Sequence, residues 1–125
     1  MSTPEKKIEN SILAWLNSIV GCFAFKVNTM GVYDTKRKVW RKNNNPHIHN
    51  GTCDIFYVYD GAFGAIEVKA GYNKPSDDQK KFMNRVYTCG GSVCWVNSLE
   101  QFKILFNEEW PDFEYKDKPL FKEQF

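Results

Sequence analysis

The chain has 125 residues, 42% hydrophobic and 26% charged, which suits one domain with its own core and excludes a charge-dominated disordered chain. Seventeen Lys and Arg against fifteen Asp and Glu leave a formal charge of +2, which excludes a uniformly basic DNA-coating protein but not a basic face. The charge is unevenly divided: residues 1–90 carry 13 basic and 8 acidic side chains, and residues 91–125 carry 4 and 7.

The elements follow in chain order. Thr3 as N-cap and Pro4 at the first helical position start a helix that Gly21 ends. Ile8, Ile12, Trp15 and Ile19 recur at helical steps, with Glu9, Leu13, Leu16 and Val20 one residue over. Glu9 therefore belongs to the edge of the buried face. Phe23 to Asn28 reads as a strand. A polar excursion follows with Lys36, Arg37, Lys38, Arg41 and Lys42, five bases within seven positions, and a short Val39-Trp40 edge strand. Asn43-Asn44-Asn45-Pro46 is a loop by composition.

Cys53 to Tyr59 and Phe63 to Ala70 read as strands around Asp60-Gly61. Cys53, Ile55, Tyr57 and Tyr59 are expected on one face, and Phe56 and Val58 on the other. Ser76 to Cys89 is a helix ended by Gly90-Gly91, Val93 to Val96 a strand, and Ser98 to Glu108 a helix. Residues 110–125 carry too many aromatics for free disorder and are expected to pack on the domain or a partner. The order predicts an α/β fold with a mixed sheet covered by helices on both faces.

No apolar run approaches the ~20 residues of a membrane span, and the polar start lacks a signal-type apolar core, so a cytoplasmic protein is expected. Cys22, Cys53, Cys89 and Cys94 show no framework spacing and read as reduced thiols. A zinc site of Cys53 with His47 and His49 is a weaker reading, since no CxxC pair accompanies it.

Asp-Gly between two apolar runs is a strong signal for a two-residue type I′ hairpin turn. If Tyr59 pairs with Ala62, Asp54 lies directly opposite Glu67, and Lys69 shares their face. A bulge would shift the register and separate the acids. Two facing carboxylates require a proton, a Lys or a divalent metal between them. An exposed Asp54–Lys69–Glu67 salt-bridge cluster is the plain alternative. The apolar neighbours Phe56, Val58, Phe63 and Ala65 argue instead for a covered face and a cleft.

Asp54, followed after twelve residues by Glu67-Val68-Lys69, resembles the PD-(D/E)XK nuclease motif. Gly51-Thr52-Cys53-Asp54, Ala65 to Lys69, Ser76-x-x-Gln79 and Gly90-Gly91 narrow the likeness to the VRR-NUC domain, over residues 5–106. Cys53 stands where the motif name has proline. The resemblance implies a restriction-endonuclease-like core, with residues 107–125 as a tail to a single 1–125 domain. It also implies Mg²⁺- or Mn²⁺-dependent hydrolysis of DNA. Asp54, Glu67 and the Val68 carbonyl would hold the metal, and Lys69 would orient water or stabilise the transition state. Products would carry 5′-phosphate and 3′-hydroxyl ends.

Glu9 resembles an acid such nucleases place near the metal; a solvated helix-edge Glu is the alternative. Gln79 has a site reading by resemblance, and a capping-box reading from Ser76-Asp77-Asp78-Gln79. Lys26, Asn28, Lys36, Arg37, Lys38, Arg41, Lys42 and Lys74 are candidates for phosphate contact, which supplies affinity without sequence choice. His47 and His49 are expected to be structural or solvent-facing, with direct contact to substrate or metal as the alternative. The expected partner is branched DNA such as a Holliday junction, cut by a homodimer because symmetric cleavage needs two sites. Cleavage or nicking of linear duplex, and a catalytically silent nucleic-acid-binding module, are the alternatives.

Overall fold

The computed structural model describes residues 3–27, 32–41, 46–47 and 49–116. The elements are α1 (Pro4–Leu16), β1 (Cys22–Lys26), β2 (Val32–Asp34), β3 (Val39–Arg41), β4 (Ile55–Tyr59), β5 (Ala62–Val68), α2 (Asp77–Thr88), β6 (Ser92–Val96) and α3 (Leu99–Glu109). A four-stranded mixed sheet runs β1-β4-β5-β6, antiparallel except for the β5–β6 pair. This is the expected mixed α/β architecture. Among the described residues, no helix is long and apolar enough to cross a membrane.

Thr3 caps α1 by accepting the Lys6 N–H, as its sequence position predicts. The helix stops at Leu16, however, a turn before the expected exit at Gly21. Asn17 is the cause. Its side chain accepts the Ala24 N–H at 2.8 Å and donates to the Ala24 carbonyl at 3.0 Å, so the cap is tied to β1. Tight turns then bond Ser18 to Trp15 and Ile19 to Leu16.

The hairpin register is the one Asp60-Gly61 implies: Tyr59 pairs with Ala62, and Ile55 with Ile66. Asp60 and Gly61 have φ of 49° and 83°, the left-handed pair a type I′ turn requires. Across the same hairpin the Tyr57 ring covers Gly64, where an added Cβ would lie 2.0 Å from the ring.

One sheet face packs on α1 and α3 through Ile12, Leu16, Ile55, Tyr57, Ile66, Val68, Val96, Phe102 and Phe106. Trp15 meets Phe102, Phe106, Phe113 and Tyr115 edge-on, so the start of the tail packs on the domain. Lys116 N–H bonds to the Ser18 carbonyl. Residues 117–125 lie outside the described residues.

Three sequence expectations are corrected. Cys53 does not share the face of Ile55 and Tyr57; it packs with Ala65 and Met83 under α2, because residues 52–54 precede the regular strand. Val39-Trp40 is not an edge of the main sheet; β3 pairs with β2 in a separate ribbon. The α2 face is also only half covered. Ala65 is buried, but Val58 is 41% and Phe63 38% exposed: α2 covers the Ala65 end, where Phe82 meets Phe56, and leaves the Val58–Phe63 end open.

Candidate functional site

Asp54 is placed by backbone and side chain together. Its carbonyl accepts the Val27 N–H at 2.8 Å, extending the β1–β4 ladder. Its Oδ2 accepts the Val68 N–H at 2.9 Å, across the hairpin. Beyond the last ladder pair, Ile55–Ile66, the Asp54 and Glu67 carboxyls adjoin. Glu67 is 1% exposed, and its Oε1 has no hydrogen-bond partner.

A buried acceptor without a donor is costly. Burial chiefly, then a side-chain hydrogen bond to Asp54 and the Asp54 charge, push the Glu67 carboxyl up to about 9, while Lys69 opposes. Lys69 is half-buried, and its backbone N–H bonds to the Val96 carbonyl at 2.9 Å. Asp54, Glu67 and Lys69 thus gather where the middle strands leave the sheet.

Glu9 is buried, not a solvated helix-edge acid. Its carboxylate meets Lys26 Nζ at 3.4 Å. Burial raises its pKa, and the nearby Asp54 charge adds to that. Glu5 belongs to the same group: Oε1 accepts the Ala70 N–H at 3.4 Å, and its charge acts on both Glu9 and Glu67. Sequence reading passed over Glu5, although its i, i+4 spacing to Glu9 puts both on one helix face. Among the described residues, Lys26 and Lys69 are the cations that act on this group of four carboxylates, Glu5, Glu9, Asp54 and Glu67.

Gly51 fixes the neighbouring helix. Its φ is +76°, and an added Cβ would lie 2.4 Å from the Asp78 carbonyl carbon and 2.5 Å from the Gln79 nitrogen. The start of α2 is thus clamped three residues before Asp54. Gln79 itself completes the capping box: Oε1 accepts the Ser76 N–H at 2.8 Å, and its N–H bonds to Ser76 Oγ.

The basic candidates are dispersed. Lys36, Arg37 and Lys38 are exposed in the β2–β3 turn, and Lys74 is exposed before α2. Arg41 ends β3. Asn28 and Lys42 lie outside the described residues. His47 and His49 do not join Cys53 in a zinc site. They line a pocket against α2, while Cys53 is fully buried and its thiol is pushed far up by that burial. Among the described residues, no group of three or more His, Cys, Asp or Glu side chains is placed to hold a metal. All four cysteines are free thiols.

The fold and this cluster define a small α/β protein in which buried Glu67 adjoins half-buried Asp54 at a sheet end. No protein-family model, curated protein or solved structure matches the chain.

Proposed function

We propose that the chain is a Mg²⁺-dependent DNA endonuclease with a restriction-endonuclease-like core of VRR-NUC type, selective for branched DNA. One observation carries this reading: buried Glu67, with Oε1 unpartnered, faces Asp54 beside Lys69. Burial and the adjoining Asp54 carboxyl keep Glu67 protonated, and a divalent cation between the two would stabilise both in the ionised form.

The donor chemistry fits such an ion. Asp54 and Glu67 offer hard carboxylate oxygens, the Val68 carbonyl a third, and solvent the rest, as Mg²⁺ favours. Mn²⁺ suits the same oxygens. When bound, the ion supplies an acidified water and charge neutralisation on the phosphate. The chain's own residues do the rest. Val68 N–H holds the Asp54 carboxylate in place. Lys69 presents an ammonium to the charge that develops on the phosphate oxygens. Lys26 pairs with Glu9, which would stand beside Asp54 as a third carboxylate near the metal. Gln79 acts through the α2 cap, and Lys36, Arg37, Lys38 and Lys74 supply positive charge for the phosphate backbone. A homodimer would bring two such sites to a junction.

The test is cleavage of four-way junction, flap, linear duplex and single-stranded DNA in Mg²⁺, Mn²⁺ or EDTA. Lys69→Ala and Asp54→Ala are run beside the wild type. Metal-dependent cleavage lost in Lys69→Ala with binding kept supports the proposal. Equal cleavage by both proteins sinks it. Binding without cleavage in any metal assigns the silent module instead, and light scattering at micromolar protein reads the dimer.

A further inference from the structure

The half-covered α2 face holds a pocket of about 580 Å³, lined by His49, Phe63, Phe82, Arg85, Val86 and Gly91 among others. Small-ligand pockets run from about 300 to 1,000 Å³. Its walls are aromatic: His49 packs edge-on against Phe82 at 5.4 Å between ring centroids. Phe56 behind them stacks on Phe82 at 6.0 Å and meets Phe63 at 5.1 Å. Gly91 opens the floor, since a Cβ there would strike Val86. Arg85 adds a guanidinium on the exposed side of α2.

Aromatic surface continues outward from the pocket. Phe25 meets Phe56 at 6.1 Å and Phe23 stacks on Phe25 at 5.4 Å. Phe23 is 64% exposed and Phe25 41%. Phe63, Ala65 and Glu67 alternate along β5, so pocket and acidic pair share a sheet face, about 13 Å apart at strand rise.

We infer that this pocket takes an unstacked nucleobase, from an unpaired stretch of the strand whose backbone passes the Asp54–Glu67 pair. Flat aromatic walls fit the π-face of a base, and stacking of this kind tolerates any base. The Arg85 guanidinium suits the adjoining phosphate. A base held in duplex must first leave its stack, which costs least where it is already unpaired, so branch points and frayed ends are favoured. The inference rests on the nuclease reading for its strand path, and deepens it by naming what selects the DNA structure.

The test is fluorescence titration of a short single strand carrying 2-aminopurine, in EDTA. Stacking in the pocket quenches the probe. Phe63→Ala and Arg85→Gln should each weaken binding roughly tenfold, equivalent to about 1.4 kcal/mol. Both residues are at least partly exposed, circular dichroism and a melt check that each variant is folded, and Ile104→Ser on exposed α3 surface serves as the unaffected control. Wild-type affinity in Phe63→Ala and Arg85→Gln, or no quenching at all, overturns the pocket. An Asp54→Asn/Glu67→Gln double variant should keep the quenching. Metal-dependent cleavage without quenching leaves the nuclease reading and removes the pocket. Quenching that needs Phe63 and Arg85, with no cleavage of any substrate, does the reverse.

Discussion

The Asp54 carboxylate accepts the backbone N–H of Val68 at 2.9 Å, although the two residues are fourteen apart in sequence. One side chain thereby ties the start of β4 to the end of β5. The bond also spends a carboxylate oxygen on a backbone donor, which orients the group beside Glu67. Asp54→Ala orphans that N–H, and urea denaturation should show a loss of about 1–3 kcal/mol. Asp54→Asn keeps an acceptor and removes the charge, so it should cost less. Matching losses in the two variants would show that charge, not the hydrogen bond, holds the hairpin end.

Glu67 yields a pH prediction of definite sign. Its pKa is raised from 4.5 to about 9 in the folded, metal-free protein. The folded state therefore binds a proton that the unfolded state has released between those values. Stability is highest below the unfolded value and falls as pH rises towards 9. The metal-free Tm should drop over that window, and Mg²⁺ should restore it at the alkaline end. Glu67→Gln removes the most strongly shifted group, so its Tm should fall less over that window, the remaining slope coming from Glu9, and should respond less to Mg²⁺. A wild-type Tm flat from pH 5 to 9 contradicts the burial argument.

Gly51 and Gly21 separate two effects of a glycine. Both have positive φ, +76° and +78°. Gly21→Ala meets nothing within 4 Å and bears only the left-handed backbone cost, about 1 kcal/mol. Gly51→Ala also drives a methyl to 2.4 Å from the α2 backbone and must displace the helix start. Calorimetry should show a clearly larger Tm loss for Gly51→Ala, with the capping box disturbed. Equal losses would mean that α2 is not anchored there.

The middle of the fold was legible because local chemistry specified it. Asp60-Gly61 determined a turn, and the turn determined a register that runs to Ile55–Ile66, the pair next to Asp54 and Glu67. The Ser76-Gln79 capping box was likewise readable from four residues. What sequence concealed depended on distant partners. Asn17 ends α1 by bonding to Ala24, although the apolar spacing runs on to Val20. Cys53 leaves the alternation because the strand has not yet begun. Half-coverage of the α2 face follows from which end of the strands α2 covers, and strand composition does not encode that. Glu5 was hidden for a similar reason: its partner, the Ala70 N–H, is 65 residues away.

The β2–β3 ribbon carries the last prediction. Lys36, Arg37 and Lys38 sit exposed on its turn, with Lys38 at φ 56°. Phosphate contacts release counterions, so each one lost lowers the slope of log affinity against log salt by about 0.9 on duplex. Replacing all three by Gln leaves the backbone demand at Lys38 unchanged and removes the charge. Binding of a duplex-armed junction should weaken at low salt, and the salt slope should become shallower by up to about 3. Weakening that is uniform across DNA sequences identifies these residues as backbone contacts. An unchanged slope would put the β2–β3 turn off the path of the DNA and leave the positive charge for binding to the other basic candidates, such as Lys26, Arg41, Lys42 and Lys74.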